Sequence, residues 1–78
     1  MISDHLKKTI LRTLDLDDFD LREDTVASRV PGWDSLSHVK VILAVEKAFA
    51  VRFGTRELLR LKNVGDLQAL VDKKLSGA

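Results

Sequence analysis

The chain has no cysteine, one proline and four glycines in 78 residues. Without cysteine there is neither a disulfide framework nor a Cys-based zinc site, and any thiol chemistry must come from an attached group. No apolar run approaches the roughly 20 residues that span a bilayer, so no membrane insertion is expected. The opening stretch MISDHLKKTILRTL mixes acids and bases into its apolar residues. It therefore lacks the basic segment, hydrophobic run and cleavage site of a secretory signal, and a cytoplasmic location is the expectation. Charge of one sign is lacking too: 13 Lys and Arg face 12 Asp and Glu, for a net charge of +1. The basic excess usual in nucleic-acid-binding domains is absent, and no nucleic-acid partner is expected.

What is present fits one small globular unit, expected to span residues 1–78. A hydrophobic fraction of 45% with 32% charged residues argues against disorder. A chain of this length buries only about 60% of its unfolded surface, so a single compact core must supply the stability. The charges are polarised along the chain. Residues 1–34 hold five bases against eight acids, and residues 35–78 hold eight bases against four acids.

Hydrophobic spacing predicts four helices. Ile2, Leu6, Ile10 and Leu14 recur every four residues with Leu11 beside them, and Ser3 or Asp4 stands ready to cap, giving a helix over 3–14. From Asp15 to Asp34 the period lapses into a long loop. Acids cluster at Asp15, Asp17, Asp18 and Asp20, apolar anchors are isolated, and Pro31-Gly32 breaks the chain. The pattern resumes over 35–49, where Leu36, Val39, Ile42, Leu43, Val45 and Phe49 make a wide apolar face behind Asp34 as cap. Val51-Arg52-Phe53 alternates like a strand but is too short to form a sheet alone. Gly54 then offers a break and Thr55 a cap for a short helix over 56–61. Asn63 with Asp66 resembles a capping box for a last helix over 64–75, carried by Val64, Leu67, Leu70, Val71 and Leu75, before a frayed Ser-Gly-Ala tail. The expected fold class is all-α, a four-helix bundle with a short third helix and a long first connection.

The segment with chemical content is Gly32-Trp33-Asp34-Ser35-Leu36, which puts a serine hydroxyl in the first turn of a helix after a flexible entry. The unpaired N–H groups and positive dipole end there favour an attached anionic group such as a phosphodiester. The run from Val30 to Phe49, with Asp34-Ser35-Leu36 at its centre, resembles the attachment region of acyl carrier proteins. The likeness extends over nearly the whole chain: a first helix, an acidic loop, the Asp-Ser-Leu helix, Glu46-x-x-Phe49, a short helix and a final one.

The resemblance implies a non-enzymatic carrier. Ser35 would be esterified with 4′-phosphopantetheine, transferred from coenzyme A by a phosphopantetheinyl transferase using Mg²⁺. The arm's thiol would carry an acyl cargo as a thioester between a loading ligase and a downstream acyltransferase or synthase, in fatty acid, polyketide or other specialised acyl-transfer biosynthesis. An aminoacyl or peptidyl carrier is the alternative. Asp34 would start the helix and assist transferase recognition, and Leu36, Val39, Lys40, Leu43 and Lys47 would discriminate among partners. Trp33 reads either as a packing anchor or as a partner contact. Phe53, Leu58, Leu61, Leu67 and Leu70 would line a crevice for a tethered chain, and the carrier would be a monomer. Carriers of bulk fatty acid synthesis look strongly acidic along this helix, whereas His38, Lys40 and Lys47 leave Glu46 as its one acid here. Together with Trp33, this likens the chain to discrete carriers of specialised pathways and makes a uniformly basic partner surface a poor fit.

Other readings of the same residues are weaker. Ser35, His38 and Asp34 do not form a hydrolase relay by spacing, because no G-x-S-x-G elbow is present and a domain this small has little room for an enclosed pocket. The acidic loop fails as a calcium site, since alignment puts Phe19 at a ligand position and Val26 where the final Glu belongs. Arg52, Arg56 and Arg60 suggest a basic stripe interrupted by Gly54, better suited to solvent or an acidic partner than to nucleic acid. His5 is expected to face solvent. A small helical protein-interaction or nucleic-acid-binding module, with Ser35 only a helix cap, is the rival of a different class.

Overall fold

The computed structural model describes residues 2–76, and among them there are four α-helices and no strand. They are α1 (Asp4–Thr13), α2 (Ser35–Phe49), α3 (Thr55–Leu59) and α4 (Val64–Leu75). The expected tail lies partly outside the described residues, which end at Ser76, the C-cap of α4.

Ser3 caps α1 by accepting from the Leu6 N–H at 3.2 Å. The helix is therefore one residue shorter at each end than the period suggested, with Leu14 as its C-cap. Leu6, Ile10 and Leu11 are its buried stripe, and they pack chiefly on α2. From α2 the core receives Val41, Ile42 and Val45, and from α4 Val64, Leu67 and Val71. Here the expected apolar face of α2 divides. Leu36, Val39 and Leu43 are 74%, 56% and 59% exposed, whereas Val41, absent from that reading, is fully buried. Fifteen residues of α2 offer apolar side chains around much of its circumference, and the neighbours cover only one sector. Leu75 is likewise exposed rather than part of the core.

The connection after α1 is held as an ordered strap. It contains one 3₁₀ turn, Ala27–Arg29, and buries Leu21, Val30 and Trp33. The Thr25 and Glu23 carbonyls accept from the Val64 and Gly65 N–H groups, both at 2.8 Å. Two first-turn donors of α4 are thereby satisfied. The start of α1 is tied to α4 as well, since the buried Gln68 Oε1 accepts from the Ser3 N–H at 2.8 Å.

The strap requires glycine at position 65. A Cβ there would stand 2.7 Å from the Glu23 carbonyl oxygen and 3.0 Å from its Cβ. Gly65→Ala, which in an open helix would stabilise, is expected instead to cost about 1–3 kcal/mol, as overpacking does. Thermal unfolding checks the sign: a midpoint at or above wild type would mean the strap can yield.

Both boundaries of α3 depart from expectation for local reasons, and the cap of α4 departs in its bonding. α3 begins at Thr55, not after it, because Gly54 is the N-cap and the Glu57 carboxylate, not a Thr55 hydroxyl, accepts from the Gly54 N–H at 2.8 Å. It also ends early, with Arg60 and Leu61 N–H groups turning to the Glu57 and Leu58 carbonyls. At α4, Asn63 accepts from the Asp66 N–H at 2.8 Å, but Asp66 accepts from Lys62 rather than from Asn63. The reciprocal box is thus offset by one residue. Val51–Phe53 pairs with no strand, and its Phe53 N–H donates to Glu46 Oε2 at 2.8 Å. α2 stops at Ala50, whose φ of 55° is the left-handed conformation usual for glycine.

Candidate functional site

Asp34 has extended backbone, and its Oδ1 accepts from the Ser37 N–H at 2.8 Å while its carbonyl accepts from the His38 N–H at 2.8 Å. This cap launches α2 with Ser35 as its first residue. Gly32, at φ 80°, makes the turn before it possible, since that backbone strains residues bearing a Cβ. Ser35 and Asp34 are exposed, and among the described residues the Ser35 hydroxyl has no hydrogen-bond partner. The hydroxyl is therefore accessible and uncommitted at the positive end of a fifteen-residue helix.

Asp34 already occupies much of that positive end. The Ser37 N–H first, then its hydroxyl, hold the Asp34 carboxyl below its ordinary value, with smaller help from the Leu36 N–H. In Glu57 the Gly54 N–H, followed by Lys74 at 2.9 Å, likewise lowers the carboxyl. Both groups have lower pKa values folded than unfolded, so each adds stability above the ordinary carboxylate range and loses it as pH falls through its lowered folded value. Asp34→Asn keeps an acceptor for the Ser37 N–H but removes the titration. Wild type is expected to lead Asp34→Asn in melting temperature at neutral pH, with the lead shrinking below about pH 4. A lead independent of pH would mean the cap does not act through charge.

His38 lies one turn beyond Ser35 and is only half exposed. Its Nδ1 accepts from the Trp33 Nε1–H at 3.1 Å, with the two rings stacked at 6.1 Å between centroids. Trp33 itself is 8% exposed. Of its two readings, the packing anchor is the one its position in the unbound chain fits, since the indole is buried and donates to His38. With His38 Nδ1 bonded to an indole and Asp34 to the Ser37 amide, the three residues form no Ser-His-Asp relay.

Trp33 and His38 also wall a small cavity with Ala27, Leu61, Val64 and Leu67. Its volume of about 50 Å³ is room for one or two waters. Of the expected crevice residues, Leu61 and Leu67 reach it, whereas Phe53, Leu58 and Leu70 do not.

The residues expected to meet partners sort by helical spacing. Leu36, Lys40, Leu43 and Lys47 follow one another by four, three and four residues, with Val39 beside them, and all are exposed. They form an apolar stripe with a basic border. Leu59, at 80% the most exposed of the large apolar residues, was not anticipated, because short helices give too few turns to define a face. His5 is exposed as expected, yet its ring packs on Phe49 at 4.4 Å between centroids, a contact no spacing rule could show. Among the described residues no cluster of acids and histidines could hold a metal, and no helix is long and apolar enough to cross a membrane.

The fold is similar to that of a holo acyl carrier protein from Geobacter metallireducens, solved by solution NMR. The TM-score is 0.88 at 42% sequence identity, over 94% of this chain and 84% of that one. No family model matches the chain, and no curated protein matches it.

Proposed function

Because the chain belongs to the acyl carrier protein family, we propose that it carries acyl intermediates as thioesters on a 4′-phosphopantetheine arm esterified to Ser35. One observation carries this reading above all. Ser35 is an exposed, unbonded hydroxyl on the first residue of α2, in a chain 42% identical to a holo carrier. The site suits the group chemically: a phosphodiester formed there projects into solvent and lies in the favourable field of the helix terminus.

When attached, the arm's terminal thiol supplies the thioester to which cargo is bound. The chain's own residues do the positioning. Asp34 fixes the start of α2 through the Ser37 amide and so sets where the Ser35 Oγ stands. The Trp33 to His38 bond braces the entry loop against the same turn. Leu36, Val39, Lys40, Leu43 and Lys47 present the surface that meets the phosphopantetheinyl transferase, the loading ligase and the downstream acyltransferase or synthase. The basic border favours acidic partner surfaces and a specialised pathway in the cytoplasm. The carrier acts as a monomer that meets each enzyme transiently.

An aminoacyl or peptidyl carrier is the second reading, favoured by the cavity. A void of about 50 Å³ encloses no long chain, and a small polar cargo needs no enclosure. Intact mass after incubation with coenzyme A, Mg²⁺ and a broad-specificity phosphopantetheinyl transferase tests the proposal. One added phosphopantetheine is expected. No mass change with two different transferases acting on folded protein would return Ser35 to a helix-start residue.

A further inference from the structure

A second surface lies beside the exposed stripe of α2. The cleft between α1 and α2, about 400 Å³ in volume, is lined by His5, Lys8 and Arg12 from one helix and Lys47 from the other, with Ala44 and Ala48 on its floor. No acid lines it. The ion pairs among the described residues join Lys7 to Asp18, Arg22 to Asp20 and Lys74 to Glu57, and none uses Lys8, Arg12 or Lys47. The hydroxyls of Thr9 and Thr13, which also face the cleft, donate back to the His5 and Thr9 carbonyls. Three cations thus border one depression with no acid in its lining and no salt-bridge partner among the described residues, in a chain whose acids nearly equal its bases.

Like charges held together raise the energy of the free protein and attract an opposite charge strongly. Building on the carrier reading, we infer that the α1/α2 cleft is a docking groove for an acidic segment of a partner enzyme, continuous with the Leu36, Val39 and Leu43 stripe. Lys47 joins the two surfaces, since it borders this cleft and, with Leu43, the next depression along α2. The combination of an apolar centre with a charged rim is the ordinary anatomy of a protein interface. The alanine floor lets a partner backbone come close, while Lys8, Arg12 and Lys47 receive its carboxylates. A polyanion or an anionic bilayer fits less well. Asp15, Asp17, Asp18 and Asp20 follow Arg12 directly, and they would repel any extended negative surface laid across the end of α1.

The test is an NMR titration of the full ¹⁵N-labelled chain with a soluble helical peptide bearing Glu and Leu on one face. Controls are its Lys-for-Glu counterpart, phosphatidylglycerol vesicles and a short DNA duplex. The Glu peptide is expected to shift the amides of Lys8, Arg12, Ala44, Lys47 and Ala48, and to weaken severalfold on raising salt from about 50 to 200 mM as screening shortens. Lys8→Glu with Arg12→Glu is expected to reduce that affinity at least about tenfold, while Lys8→Gln with Arg12→Gln gives an intermediate loss, since close charge pairs couple by over 1.4 kcal/mol. Shifts confined to Arg52, Arg56 and Arg60, unchanged affinity in the reversed variant, or tighter binding of vesicles or DNA would each overturn the inference. Attachment at Ser35 is read as a covalent mass independent of this cleft, so either proposal can fail while the other stands.

Discussion

Replacing Ser35 by alanine is expected to abolish phosphopantetheine attachment completely while leaving the fold unchanged. The effect is all-or-none because the proposed phosphodiester uses one hydroxyl oxygen, that of Ser35. Ser37, two residues on, is no substitute. It is half-buried, and its amide and hydroxyl are both engaged with the Asp34 carboxylate. The stability of the variant is what makes the experiment decisive. Ser35 is exposed, its hydroxyl has no partner among the described residues, and alanine is at least as good in a helix. The cap belongs to Asp34, not to Ser35. Unfolding free energies should therefore agree within the roughly 0.5 kcal/mol usual for surface substitutions. Attachment persisting in Ser35→Ala would move the site elsewhere, and loss of attachment with loss of fold would leave the hydroxyl's role to Ser35→Thr, which keeps an oxygen.

The largest expected loss of stability follows Leu6→Ala. Leu6 is fully buried in a cluster with Ile10, Val41, Val45 and Val71, all at 0% exposure. Truncating it removes apolar contact from both of the helices that form the main packing interface, α1 and α2. Such a substitution costs about 2–5 kcal/mol. Small domains have only about 5–15 kcal/mol to lose, so the melting midpoint should fall by some 10 °C or more. Leu43→Ala is the matched control: the same atoms are removed from a side chain 59% exposed, and little change is expected. Thermal and urea unfolding of the two variants would distinguish the sectors of α2 and α1. A large loss at Leu43 would mean the exposed stripe is part of the stabilising core rather than a surface left for partners.

Much of this architecture was legible without coordinates. The four-residue recurrence of Leu6, Ile10 and Leu14, the caps at Ser3, Asp34 and Asn63, and the Pro31-Gly32 break are local signals, and each helix carrying them formed within a residue or two of expectation. The weakest boundaries were those of α3, where five residues leave little periodicity and a Glu57 carboxylate replaces the hydroxyl cap. The division of the apolar residues of α2 was not legible in spacing alone, and only the resemblance to carriers set Leu36, Val39 and Leu43 toward partners. Periodicity marks a residue as apolar and gives its angle on the helix, but burial depends on where the neighbouring helices lie. That is why Val41, outside the face read from spacing, is fully buried, while Leu36, Val39 and Leu43, counted in that face, are exposed, as a role in meeting partners requires.

The candidate site shows the same division. Its serine, its capping aspartate and its place at a helix start follow from consecutive residues, because N-terminal turns are built by short-range hydrogen bonds. The burial of Trp33, its bond to His38, the small cavity beside them and the cleft that gathers Lys8, Arg12 and Lys47 join residues from different helices or from loop and helix. By itself the sequence determined the helices, their caps and the position of the hydroxyl, all of which depend on interactions spanning a turn or less. Only the tertiary structure decided which apolar faces were covered, how little room the core left and which cations stood together, because those depend on packing between segments far apart in the chain.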